Sequence, residues 1–221
     1  MLSKKVTGLD GDAAGSLTSP YNTDSKRQEE LKQDLEIAQH EHSLSSTYIN
    51  EVFVKHRKQL VDLADVFLSS CQRWVHIVHV ELFRERYNAI GSEISQDYFI
   101  LLVGMGMISR PFLNGVAPDP LRLTMYATMK RLFWEMVPLA RPTLYLVQAG
   151  LLISVYEYGQ GMLNSSFTTI SACVGMAQVL GLCTVQPPPL PPPGTLKPQD
   201  EGLQTWWGIM IHGRFVSDMS N

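Results

Sequence analysis

A strongly apolar stretch marks the second half of the chain. Between Pro142 and Tyr156 no residue is charged, and Gln148 is the only amide. A helix of this composition has no polar face for solvent, so we expect other elements to cover it on nearly all sides. A second helix is predicted from about Asn164 to Leu180. Its predicted core face comprises Phe167, Ile170, Val174, Ala177 and Leu180, or residues near them.

Apolar residues recur at helical spacing in further segments, over Tyr48–Ser70 and Tyr98–Ser109. Gly104 and Gly106 predict that a neighbour packs closely against the second of these, because glycine otherwise weakens a helix by about 1 kcal/mol. The pair Asp119-Pro120 predicts a helix with an aspartate cap and proline in its first position.

Capping signals mark the end of the second apolar helix and the start of the last helix. Gly181 fits the left-handed position just past a helix end, with Leu182 folding back on the last turn. Asp200 is predicted to cap a last helix that carries Leu203, Trp207, Met210 and Arg214 along one side. Leu151 and Trp207 are predicted core residues, and the whole pattern predicts an all-α fold.

The segments around this core are more polar. Residues 1–24 have few large apolar groups and are predicted to form a disordered leader. Residues 25–45 are predicted to form a surface helix capped by Ser25, or a short coiled-coil arm if a partner meets it. Its apolar stripe is Leu31, Leu35 and Ala38. Residues 186–199 form a Pro-rich loop, interpreted as an extended spacer in preference to a binding site for a proline-recognition module.

Charge and cysteine content narrow the function classes. The 221 residues include 18 basic and 21 acidic side chains, a net charge of −3, so the chain lacks the positive field that binding to a phosphate backbone requires. Cys71, Cys173 and Cys183 are odd in number and far apart, which favours an intracellular protein with reduced thiols. The first residues lack the apolar run of a signal peptide.

No apolar segment has the properties of a membrane span, which needs about 20 predominantly apolar residues. Tyr98–Ile108 is too short, and Pro142–Tyr156 is short and begins with proline. Met162–Leu182 contains seven polar residues: Asn164, Ser165, Ser166, Thr168, Thr169, Ser171 and Gln178. We therefore expect a buried helical core and no membrane partner.

The sequence predicts no catalytic, cofactor-binding or metal site. Cys71, His76 and His79 could be taken for three zinc ligands, but no fourth ligand is evident nearby. We interpret that segment as a turn with its imidazoles hydrogen-bonded at a helix start. Gly159-Gln160-Gly161 lacks the third glycine of a dinucleotide-binding fingerprint. The prediction is that the protein is not an enzyme.

Several short motifs, in order, carry a resemblance to a known family. They are TLYLVQAGLLISVYEYG at 143–159, GMAQVLGL at 175–182, WWGIM at 206–210 with Arg214 and Ser217, and, upstream, the segment from Trp74 to Tyr87. Together they resemble the fungal-specific transcription factor regulatory domain, the middle homology region of zinc binuclear cluster transcription factors. The resemblance covers about residues 60–217 and implies an all-α, irregular multi-helix regulatory domain over 48–221.

The chain departs from that family in three ways. Its three cysteines cannot form the six-cysteine zinc cluster that binds DNA, and the chain stops at Asn221, before the further helices usual in the family. We therefore expect a partial domain, truncated at its C-terminus, with apolar faces of Pro142–Tyr156 and Trp206–Phe215 partly uncovered. Gly202-Leu203-Gln204 and Gly213 replace charged family positions, so Arg214 must find another carboxylate or face water.

The resemblance implies a nuclear transcription regulator of a metabolic or specialised-metabolite gene set, acting without its own DNA-binding module. Its expected partners are proteins, either transcription machinery or a related regulator, and self-association is a further expectation. No DNA contact is expected from this chain alone, and the sequence does not identify a small-molecule effector. The alternative hypothesis is a helical protein-interaction scaffold unrelated to transcription.

Overall fold

The computed structural model describes residues 20–40, 46–71, 75–110, 119–139, 141–183 and 200–219. Within these ranges the chain forms eight α-helices and no strand, which confirms the predicted all-α class. The helices are α1 (Pro20–His40), α2 (Ser46–Ser70), α3 (Val80–Ala89), α4 (Gln96–Ser109), α5 (Pro120–Leu139), α6 (Leu144–Gly159), α7 (Leu163–Val179) and α8 (Glu201–Met219). Residues 1–19 and the predicted Pro-rich loop lie outside the described residues.

Helix α6 lies at the centre of the fold, in contact with α4, α5, α7 and α8. Every residue from Leu146 to Ser154 is buried, as the absence of charge in this stretch predicts. The expectation that the face of Pro142–Tyr156 is partly uncovered is therefore wrong. The helix also begins at Leu144, two residues after Pro142, because Thr143 caps it by accepting a hydrogen bond from the Leu146 amide at 3.2 Å.

Helix α4 packs beside α6 through positions without side chains. A Cβ atom placed on Gly104 would lie 2.5 Å from Met129 Cε and 3.2 Å from Leu152 Cδ1. One on Gly106 would lie 3.1 Å from Leu63 Cδ1. These distances confirm the predicted close approach of neighbouring helices, which here come from α2, α5 and α6.

Helix α1 begins at Pro20, five residues before the predicted cap at Ser25. Proline is favoured in the first helical turn because its missing amide hydrogen would be unpaired there. The predicted stripe residues Leu31 and Leu35 are fully buried, and the Thr128 hydroxyl of α5 donates to the Leu35 carbonyl at 3.1 Å. The helix is thus a surface helix that packs on α5 within the same core.

The buried face of α7 matches the predicted one only in part. Ile170 and Ala177 are buried as predicted, but Phe167 is 48% exposed, whereas Ser166, Thr169 and Cys173 are buried. The helix is rotated because the Ser166 and Thr169 hydroxyl groups hydrogen-bond to polar groups of α6, a pairing that hydrophobic periodicity alone does not reveal. Its end is as predicted: Gly181 has φ of 70° and the Leu182 amide donates to the Ala177 carbonyl at 2.9 Å.

The two tryptophans of α8 differ in burial. Trp206 is buried, whereas Trp207, predicted as the core residue, is half-buried. Leu151, the other predicted core residue, is 1% exposed. None of the described helices combines the length and apolar character that crossing a bilayer requires.

Candidate interaction surface

The three residues considered as zinc ligands do not form a cluster. His79 caps α3, and its Nδ1 accepts a hydrogen bond from the Leu82 amide at 3.4 Å. His76 is exposed and Cys71 is half-buried at the end of α2. Across the described ranges, no group of three or more His, Cys, Asp or Glu side chains could hold a metal ion.

The inner side of α8 is held by a set of polar groups, which we call the polar seat: the buried Gln148, Glu201 and Thr205 and the half-buried Arg86. Glu201 is 3% exposed and accepts from Arg86 Nη1 at 3.1 Å and from the His79 amide at 3.3 Å. The Gln148 amide donates to the Thr205 hydroxyl and to the Ile77 carbonyl. The seat thus ties α8 to α6 and to the start of α3.

A second polar contact joins α8 to α6 and α7. Ser154 Oγ lies 3.0 Å from His212 Nε2 and 2.9 Å from Ser166 Oγ. A serine beside a histidine invites a catalytic interpretation, but Ser154 is fully buried and the hydrogen bonds of the described residues give His212 no orienting carboxylate. The contact holds helices together and does not present a nucleophile.

Because His212 is buried, its pKa lies below the ordinary value near 6.5, and the contact with Ser154 offsets this only in part. As pH falls below about 6.5, the unfolded chain therefore takes up a proton that the folded chain does not. We expect the free energy of unfolding to decrease with falling pH, by at most about 1.4 kcal/mol per pH unit from this group. Urea titrations of wild type and His212→Gln between pH 7 and pH 5 measure it. Equal slopes for both proteins would contradict it.

A buried carboxylate, that of Glu157, forms the third polar cluster, between α5, α6 and α7. Glu157 is fully buried and accepts from Tyr126 Oη and Thr169 Oγ1, both at 2.8 Å, and from Lys130 Nζ. Beside it, burial raises the pKa of the Cys173 thiol, and the charge of Glu157 raises it further. That thiol stays protonated and fully enclosed, so it is not a reactive nucleophile.

The outer side of α8 is apolar. Met210 is 43%, Ile211 50% and Phe215 57% exposed. With about 100° of rotation per residue, the three side chains lie within an arc of about 140°. We call these three residues the outer stripe. The sequence prediction that the Trp206–Phe215 face is partly uncovered is confirmed here.

Two charges lie within the same arc of α8. Arg214 and Asp218 are exposed, and neither forms an ion pair in the part of the chain that the structure describes. Arg214 thus faces water, which is one of the two outcomes expected from Gly213 in place of an acidic residue. Gly213 itself faces α7, with its Cβ position 3.8 Å from Ile170 Cγ1.

An exposed apolar stripe on a stable helix marks a protein-interaction site more often than a catalytic one. Sequence reasoning missed the pairing of Ser154 with His212 and of Lys130 with Glu157, because each joins residues far apart in the chain. The sequence contains one signal for the second pair. Glu157 lies in the last turn of an otherwise uncharged helix, and a carboxylate buried there requires a cation as partner.

Comparison with known proteins relates this chain to a fungal transcription factor. The chain is 30% identical over 126 residues to a protein named Transcription factor BOA15 from Botryotinia fuckeliana (strain B05.10), an alignment that spans 56% of this chain and 68% of that protein. The chain belongs to the family of this transcription factor. No family model matches the chain, and no solved structure matches it.

The relationship to this transcription factor can be set beside the buried and exposed groups of the chain. BOA15 is named as a transcription factor. In the described part of this chain, the three polar clusters are contacts between helices, and the outer stripe is an exposed apolar feature. The functional question is therefore which macromolecule the surface of this helical domain contacts.

Proposed function

We propose that this protein is a nuclear regulator of transcription whose helices form the regulatory domain of the fungal zinc-cluster type. The observation that carries the proposal is the relationship to Transcription factor BOA15 over 126 residues. The order of motifs around residues 143–159, 175–182 and 206–217 supports the finer assignment. We further propose that it controls a metabolic or specialised-metabolite gene set and is not an enzyme.

In this proposal the chain acts through protein contacts and not through DNA. Its net charge of −3 opposes association with phosphate backbones, which depends on clustered basic side chains. Two partly exposed cations are already ion-paired, Lys55 with Asp34 and Arg86 with Glu201. The outer stripe of α8 offers apolar groups that gain free energy when a protein surface covers them.

The proposal predicts an effect on a reporter gene when the whole chain is fused to a heterologous DNA-binding domain. We expect reporter output to change in either direction relative to the DNA-binding domain alone. Phe215→Glu should remove the effect because it charges the outer stripe without touching the core. The control, Val54→Glu, charges a residue of α2 that is 54% exposed, close to the 57% of Phe215, and should preserve the effect.

Two outcomes would contradict this proposal. Unchanged reporter output with a stably expressed fusion would favour the alternative, a helical interaction scaffold unrelated to transcription. Tight sequence-specific binding of the purified chain in a gel-shift assay would overturn the view that it acts without its own DNA-binding module.

A further inference from the structure

No further inference is drawn: the strongest candidate, the outer stripe of Met210, Ile211 and Phe215 on the exposed side of α8, carries nothing further because no contact within the described part of the structure shows what covers it.

Discussion

Replacing Lys130 with methionine is expected to lower the free energy of unfolding by about 3 to 5 kcal/mol, the usual cost of removing one partner from a buried ion pair. Methionine keeps the length of the side chain but removes the cation. Glu157 is fully buried and would then keep only the hydroxyl groups of Tyr126 and Thr169 as donors. Chemical denaturation followed by circular dichroism measures the change.

The control for this variant is an exposed ion pair between helices. Arg84 of α3 pairs with Asp65 of α2 at 3.7 Å, and the two side chains are 64% and 53% exposed, so Arg84→Met should change stability by only about 0.5 kcal/mol. A loss in Lys130→Met no larger than in Arg84→Met would contradict the assignment of a buried pair. Adding Glu157→Gln to Lys130→Met should recover part of the loss, since it removes the unpaired charge.

Gly150→Ala is expected to lower the free energy of unfolding by about 1 to 3 kcal/mol, as overpacking of a well-packed core does. A Cβ atom at this position of α6 would lie 2.5 Å from both Cys173 Sγ and Phe133 Cε2. Both neighbours are fully buried and cannot move aside without displacing α5 or α7. Thermal and urea unfolding of the variant measure the loss.

Gly175 provides the matched control for this substitution. It lies within α7, and a Cβ atom there would meet nothing within 4 Å. Alanine is favoured over glycine in a helix by about 1 kcal/mol, so Gly175→Ala should stabilise the protein by up to that amount. If both variants stabilise it, the crossing of α5, α6 and α7 at Gly150 is wider than described.

Local signals in the sequence were sufficient to predict most of the helices, although not the extent of α3 or the start of α1 at Pro20. Caps such as Asp119, the glycine at 181 and the uncharged stretch of α6 each act within a few residues, and the structure places helices accordingly. The covering of α6 by its neighbours followed from its lack of charge, whereas the expectation of a partly uncovered face, which came from the family resemblance, was wrong. The close approach at Gly104 was predictable for the same reason: glycine weakens a helix and so indicates contact.

The buried face of α7 and the polar contacts were not predictable, because they depend on pairs brought together by the fold. Thr169 and Ser166 are polar residues of the kind that usually face solvent. They are buried because Thr169 hydrogen-bonds to Glu157 of α6 and Ser166 to Ser154 of α6. Phe167 is correspondingly turned outward. Hydrophobic spacing assigns such residues to the wrong side whenever buried hydroxyl groups find partners.

The polar seat and the Ser154–His212 contact also fix the rotation of α8 about its own axis. A slip of one residue would turn α8 by about 100°, and Thr205 and His212 would move away from Gln148 and Ser154. Those buried groups would then lose their hydrogen bonds, whereas a purely apolar seat would tolerate such a turn. Substitutions in the outer stripe can therefore change the chemistry of the exposed surface while the helix keeps presenting the same side.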